Sequence, residues 1–597
     1  MNRAALQHLC RAPFVYPVGE AHLRLILKAA QGDLRRAAVA FGDRYDGADD
    51  RDDILPMIRV GEDGLHEYWG VTAPVPTRRL RYRLYAEGTD GESVWITERG
   101  LAPRRAYGYP FQFPYLHRGD RFRQPEWIRE AVFYQIFPDR FCNGDLRNDP
   151  PKTAPWGRKP TPTMMTGGDL AGIRQRLPYL RDLGINALYT TPLFVSPSNH
   201  KYDTTDYYRI DPAFGSNAEF ARLVQEARRM GIRFILDGVF NHSGREWFAF
   251  QDVVKHGRKS AYRDWFYDLH SLPPDPSRIN YETFSNGIST MPKLDTSHPR
   301  CAAYFLDVAE YWIKTADIDG WRLDVANEVD HRFWRAFRQR VKSLKPDAFL
   351  LGELMHEATD WLQGDQFDSS MNYPWRDATL AFLQCRMDAR EYDQELTRLR
   401  FAQTAEANRG LLNLLGSHDT PRIRTEVGSA ERAGLAAVLL LTASGVPLIY
   451  YGDEIGMEGG PDPDCRRCYP WDKPKQQRAD LLALYRRLIQ IRRACPWLND
   501  GAWQTLLADP LHSVYVYRRL SAPPESPRRP DREDRLTIVL NNTGRTQEIS
   551  LPLEGETTNL LCDCMNAGRV IAPDRLALPP LGLSILASES LAKSILR

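Results

Sequence analysis

The 597-residue chain has almost no net charge: 79 Lys and Arg stand against 77 Asp and Glu, leaving +2. That balance excludes a partner held by bulk charge, whether nucleic acid or an acidic membrane surface. The basic stretches 78–83 and 528–535 read as solvated surface rather than a nucleic-acid footprint. No run is apolar enough to span a bilayer. The opening MNRAALQHLCRAPFVYPVGE lacks the charged start, long apolar stretch and small-residue cleavage site of a secretory leader. Cysteines are few and odd in number, nine scattered from Cys10 to Cys564, which points to reduced thiols and a cytoplasmic location. Cys465 and Cys468 have CxxC spacing, but no second pair follows at zinc-finger distance. Cys562 and Cys564 are separated by one residue. Both pairs read as structural or incidental thiols.

With 43% apolar residues, the chain can bury a large core, and its length predicts three or more domains. Residues 1–124 read as a β-sandwich, with alternating runs such as LRLILKA, LRYRLYAE and SVWITE between Gly, Asp and Pro. From 125 to 505, short apolar strands alternate with helical stretches. Eight strand candidates stand out: AVFYQIF, INALYTT, IRFILDGVF, DGWRLDV, AFLLGEL, FDSSMNY, GLLNLLG and VPLIYYG. Eight βα units of this length predict an α/β fold, a (β/α)₈ TIM barrel. The helical stretch HRFWRAFRQRVKSL places Phe333, Phe337 and Val341 on one face. The segment 241–295 is too long for a plain loop and reads as an inserted subdomain after the third strand. Residues 506–597 turn strand-like again and predict a C-terminal β-sandwich, with 521–535 as an exposed loop.

Four predicted strands end in ionisable residues: Asp237 with Asn241 and His242, Arg322 with Asp324, Glu353, and His418 with Asp419. One such acid is commonly a helix cap. Four at one barrel mouth are better explained by chemistry, because barrel sites form at the C-terminal strand ends. Converging carboxylates suit glycoside cleavage: one acid protonates the leaving oxygen and a second attacks the anomeric carbon or activates water. Arg322 and Asp324 share a strand face. The arginine is expected to keep Asp324 ionised, and Glu353 is expected to be the less well paired of the two, as a proton donor requires.

The segments DGVFNH (237–242), GWRLDVANEV (320–329), GELMH (352–356) and LLGSHDT (414–420) closely resemble the four hallmark regions of the α-amylase superfamily, glycoside hydrolase family thirteen. YQIFPDRFCNGD, SPSNHKYDTTDYYRIDP, MPKLDT, GDQFDSSMNYP and IYYGDEIGMEGGPDPDCRRC resemble its cyclomaltodextrinase, neopullulanase and maltogenic amylase subfamily. The resemblance is strong over residues 125–475 and weaker on either side. It implies Asp324 as nucleophile, Glu353 as general acid and base, and Asp419 as the grip on sugar hydroxyls. His242 and His418 are implied as donors to the sugar before the cleaved bond, Tyr202 as its stacking platform and His200 as a hydroxyl partner. Asn327 and Glu328 would meet the acceptor, and Asp462 and Arg466 sugars further on the non-reducing side. Asp237 would be structural support. A structural Ca²⁺ is also implied, held by Asn143, Asp145, Asn148, Asp149, Gly167 and Asp169; hard oxygen donors suit it, although the same residues also suit a plain turn.

Two positions depart from the subfamily: Met355 stands where Trp is common, and Asp295 where Asn is usual. The first puts transglycosylation and α-1,6 tolerance in question. The resemblance implies hydrolysis of α-1,4 bonds in cyclomaltodextrins and short maltooligosaccharides, and of pullulan, mainly to maltose and glucose. It also implies a homodimer in which the N-terminal domain narrows the partner's site. Competing readings are a transglycosylase or starch-active α-amylase on the same barrel, and a non-catalytic carbohydrate-binding subunit. The three acids count against the last.

Overall fold

The computed structural model describes every residue except 46–51, 106–107, 270, 276, 286, 522–533, 552–560, 566–568, 572–575 and 597. It divides into two compact units: residues 1–123 with 357–364 and 388–408, and the remainder.

The larger unit is built on eight parallel strands: Phe133–Ile136, Ala187–Thr190, Arg233–Gly238, Gly320–Leu323, Phe349–Gly352, Ser369–Ser370, Leu412–Leu414 and Val446–Tyr450. Each pairs with its neighbour in that order, the last pairs with the first, and a parallel bridge from Met371 to Leu412 closes the ring. All eight sequence candidates are therefore barrel strands. Phe133, Ala187, Ile235, Phe349, Leu351, Leu412 and Val446 form one buried cluster. Strand side chains alternate, so Gln135, Tyr189, Asp237, Arg322 and Glu353 share that inward face nearer the C-terminal ends. The lining turns from apolar to polar along the barrel axis, which places the chemistry at the mouth.

Helices between the strands begin on side-chain caps. Asp169, Ser216 and Asp330 accept backbone N–H groups at the starts of Leu170–Leu183, Asn217–Arg229 and His331–Leu344. In the last, Trp334 is buried beside the expected Phe333, Phe337 and Val341. The inserted segment carries a helix, Phe248–His256, and returns antiparallel through bridges Thr283–Pro292, Phe266–Leu294 and His242–Lys293. The extra carboxylate at Asp295 accepts from the backbone and hydroxyl of Ser297 at 2.9 and 2.5 Å, closing a local turn.

The C-terminal strands run in the order Ala502–Asp509, Val514–Leu520, Arg535–Asn541, Leu583–Ser588, Leu561–Asp563 and Arg569–Ile571. A short pair, Gln547–Ile549 with Leu576–Leu578, shares their core of Val514, Val516, Val539 and Leu586. The first strand starts before the boundary drawn at 505, and a closing helix, Glu589–Leu596, was not expected. Of the expected loop 521–535, residues 522–533 lie outside the described residues, as do residues 528–533 of the basic stretch 528–535.

The smaller unit is an antiparallel sheet in the order Val15–Pro17, His22–Ala30, His66–Pro74, Asp53–Glu62, Leu34–Gly42, Leu80–Gly88, Ser93–Thr97 and Gly100–Ala102, with Phe111–Phe113 beside Leu80–Gly88. Its inward positions Leu23, Leu25, Leu27, Val39, Phe41, Tyr82 and Leu84 make one core. The helix Ala389–Ala402, assigned to the barrel from sequence, belongs to this unit, and Phe401 stacks on Tyr68 with centroids 4.1 Å apart. The reading of 78–83 as solvated surface is also corrected. Arg81 and Arg83 are 7% and 4% exposed. Asp52 neutralises Arg81 at 2.8 Å, which is what allows a guanidinium to be buried.

Candidate active site

Arg322 is fully buried and is the hub of the barrel mouth. Its Nη1 donates to both carboxylate oxygens of Asp237 at 3.1 Å and to Asp324 Oδ1 at 2.8 Å. Its Nη2 pairs with Glu353. Parallel register sets Arg322 opposite Leu351, so Glu353, two residues on, projects from the same face within reach of the fork. The expectation that Glu353 is the less well paired acid is therefore not met, because one arginine serves both. The arginine expected beside Asp324 is there; burial raises the Asp324 carboxyl, and the Arg322 charge opposes that shift and favours the ionised form. Asp237 is pushed up to about 6, first by burial. It also accepts from the hydroxyls of Tyr189 and Tyr202 at 2.9 and 3.1 Å.

Asp324 Oδ2 is buried and has no hydrogen-bond partner. It is the one free oxygen of the Arg322-bound carboxylate. The next residue, Val325, adopts a left-handed turn (φ 44°, ψ 46°), unusual for a β-branched side chain. The turn aims its N–H at Glu353 Oε2, 2.9 Å away. Both ends of the Glu353 carboxylate are thus fixed beside Asp324.

The third acid arrives on the loop after the seventh strand. Asp419 meets His418 Nε2 at 3.1 Å and Arg466 Nη2 at 3.3 Å. Burial raises its carboxyl, with Arg466 opposing. Arg466 also bonds the His418 carbonyl at 2.8 Å and Asp462 at 3.0 Å, so it touches the catalytic acid directly as well as the outer Asp462. His418 is held by Gln135 at 2.8 Å and the Tyr202 hydroxyl at 2.7 Å, with its ring stacked on Tyr202. Burial, then Arg466 and Arg322, keep it from taking up a proton. His200 bonds Ser198 Oγ and the Tyr202 N–H, both at 3.2 Å, which fixes the loop that carries Tyr202.

His242 is buried, with Nδ1 3.2 Å from Asn241 Nδ2 and Nε2 without a hydrogen-bond partner. Burial, then the Lys293 charge, lower its pKa to about 3. Asn327 and Glu328 are exposed on the turn Ala326–Glu328, and Glu328 pairs with Lys293 at 2.8 Å. Met355 is 59% exposed. The sequence reading therefore missed Gln135, Tyr189 and Lys293. Gln135 and Tyr189 each lie two residues after an apolar inward position, so strand alternation pointed to them. Lys293 lay inside a recognised motif but carried no local sign of its partners.

The residues expected to bind Ca²⁺ divide into two sets. Asp169 is saturated: its oxygens accept from Gly144, Asp145 and Gly172 backbone N–H groups and from Asn148 Nδ2. Asp145 pairs with the exposed Arg147. By contrast, Asn143 Oδ1 and Asn148 Oδ1 are buried and have no partner. Asp149 Oδ1 crowds Gly167 so closely that a Cβ there would lie 2.2 Å from it. Two orphaned amide oxygens beside an aspartate are a donor set that a hard cation fits.

The α-amylase catalytic-domain model matches residues 135–501, and the α-amylase N-terminal Ig-like domain model matches residues 1–117. Neopullulanase 2 of Thermoactinomyces vulgaris is 43% identical over 570 residues, 95% of each chain. A cyclomaltodextrinase of Geobacillus thermopakistaniensis is 42% identical over 601 residues, 99% of this chain and 100% of that one. A solved cyclomaltodextrinase structure superimposes with a TM-score of 0.91 at 38% identity, covering 98% of this chain and all of that one. With a barrel mouth of this construction and a catalytic-domain match over more than half its length, the chain is a glycoside hydrolase that belongs to the α-amylase family.

Proposed function

We propose that the protein hydrolyses α-1,4-glucosidic bonds in cyclomaltodextrins and short maltooligosaccharides, and in pullulan, with retention, releasing mainly maltose and glucose. The observation that carries the mechanism is the unpartnered Oδ2 of Asp324 beside a Glu353 carboxylate held at both ends. Asp324 Oδ2 attacks the anomeric carbon while Glu353 gives its proton to the departing glucosyl oxygen. A glycosyl ester forms and the C–O bond to the leaving sugar breaks. Glu353, now a carboxylate, takes a proton from water, which displaces Asp324 and restores it. Arg322 stays bound to Asp324 Oδ1 and balances the charge that moves between the two acids. Asp419, held by Arg466, faces sugar hydroxyls, Tyr202 offers the stacking face, and His242 Nε2 meets a hydroxyl in its buried pocket.

Substrate choice rests on relatives named cyclomaltodextrinase and neopullulanase. The test is the initial rate on β-cyclodextrin beside that on soluble starch. Faster ring opening, with maltose and glucose as products, supports the reading; faster starch cleavage overturns the substrate preference and leaves the barrel chemistry standing.

The same proposal includes a homodimer through the N-terminal domain, a structural Ca²⁺ at Asn143, Asn148, Asp149 and the Gly167 backbone, and a cytoplasmic setting. The last is supported by nine cysteines that are all free; among the described residues, no helix is long and apolar enough to cross a membrane. Removing residues 1–124 is expected to erase any preference for cyclodextrin over starch. An unchanged ratio of rates would remove the N-terminal domain from substrate selection.

A further inference from the structure

His242 can act as a donor to a sugar hydroxyl only if its single proton sits on Nε2. With its pKa near 3 the ring is neutral at working pH, so one nitrogen is N–H and the other a bare acceptor. Which one is which depends on what faces the two nitrogens: the Tyr202 backbone, which also reaches the ring, and the neighbour of Nδ1. That neighbour is the Asn241 side chain, 3.2 Å away. An asparagine amide can present either its oxygen or its NH₂ group, and the two orientations demand opposite tautomers of the histidine.

The choice is made one residue further out. Lys293 Nζ lies 2.5 Å from Asn241 Oδ1. An ammonium is a donor only, so the amide atom facing it must be the oxygen. Asn241 Nδ2 is thereby turned to His242 Nδ1, which must accept, and the proton is left on Nε2. That atom is the buried nitrogen without a hydrogen-bond partner. Lys293 cannot drift from this position. Its backbone is bridged antiparallel to His242, its N–H bonds the Glu282 carbonyl at 3.0 Å, and its Nζ bonds Glu328 Oε2 at 2.8 Å.

We propose that Lys293 is a positioning residue which, through Asn241, fixes the Nε2–H tautomer of His242 and so holds ready a donor for a hydroxyl of the bound glucosyl unit. The inserted segment thereby sets a protonation pattern at the barrel mouth without touching substrate. The inference rests on the hydrolase reading above for its kinetic consequence, but not for the tautomer itself.

The test is ¹⁵N NMR of histidine-labelled full-length protein, with the His242 resonances assigned by their loss in His242→Gln. The wild type is expected to show Nε2–H. Lys293→Met frees the amide to rotate and is expected to give a mixture of tautomers, with kcat/KM on β-cyclodextrin about tenfold lower, the size of one lost hydrogen bond. Lys293→Arg is expected to restore both. Asn241→Asp, which can only accept from Nδ1–H, is expected to switch the ring to Nδ1–H. Glu328→Gln is expected to leave the tautomer in place, since the Lys293–Asn241 contact remains. A wild-type ring protonated on Nδ1, or a Lys293→Met protein with an unchanged tautomer, would overturn the proposal. A protein that does not open cyclodextrin yet shows these tautomers would overturn the substrate assignment alone.

Discussion

Arg322 and Asp237 meet at 3.1 Å with neither side chain exposed to solvent. Asp237 is on the third barrel strand and Arg322 on the fourth, directly opposite in register. Because Asp237 also takes two tyrosine hydroxyls, it anchors the arginine that Asp324 and Glu353 share. Its role is to hold the guanidinium, and burial makes that role sensitive to pH.

The Asp237 carboxyl is pushed up to about 6 in the folded protein, against about 3.9 in an unfolded chain. A carboxyl raised on folding favours the folded state while protonated, below about pH 4. That stability is lost as pH rises through about 6, a difference on the order of 3 kcal/mol. Asp237→Asn is neutral throughout and loses this dependence. Relative to the variant, the wild type should therefore lose stability between about pH 4 and 6, read from the urea midpoint of the barrel. Parallel curves for the two proteins would show that Asp237 does not titrate there.

Glu353→Gln keeps the hydrogen bond from Val325 but has no proton to give. Its kcat is expected to fall about 10²- to 10⁴-fold. Asp324→Asn, which removes the attacking oxygen's charge, is expected to fall at least as far. Binding of a maltooligosaccharide should survive in both, because neither variant removes the stacking face at Tyr202. Rates near wild type in either purified variant would overturn the assignment of roles.

The barrel was legible because most strands are short apolar runs that coincide with the predicted ones, although the sixth is the polar pair Ser369–Ser370. The acids were legible because they interrupt those runs at the end where barrel sites form. What stayed hidden was pairing. Nothing local to Glu353 says that Arg322 reaches it from the next strand. Nothing local to Arg81 says that Asp52 neutralises it, so a charged stretch read as surface turned out to be half buried. The helix Ala389–Ala402 reads as an ordinary barrel helix, since its capping box and periodicity do not specify which sheet it packs on. The partners of Asp145 and Asp169 were hidden too: backbone N–H groups reach Asp169, and Arg147 pairs with Asp145.

Calcium should bind at Asn143, Asn148 and Asp149 and act on stability rather than on chemistry. Chelation with EGTA is expected to lower the thermal midpoint by several degrees, as removal of a ligand specific to the folded state does, while kcat at low temperature stays unchanged. Asn148→Ala should lower the midpoint without chelator and make it insensitive to EGTA. A wild-type midpoint indifferent to both EGTA and added Ca²⁺ would dispose of the site.

Arg519 is one of the side chains that join the C-terminal sheet to the barrel. Arg519 is fully buried and donates to the carbonyls of Thr442, Leu498 and Gly501 at 2.5, 2.9 and 2.9 Å, and to Ser444 Oγ at 3.0 Å. Arg519→Met fills much of the same volume but leaves those buried carbonyls without this donor, at a cost of about 3 kcal/mol. Local opening of the strand Val514–Leu520 should then be roughly a hundredfold more frequent, read as faster amide hydrogen exchange there. Exchange in the barrel strands and kcat on β-cyclodextrin should stay as in the wild type, because Arg519 touches none of the catalytic carboxylates. Uniformly faster exchange across both regions would mean that the sheet and the barrel open as a single cooperative unit, and that Arg519 stabilises the whole of it.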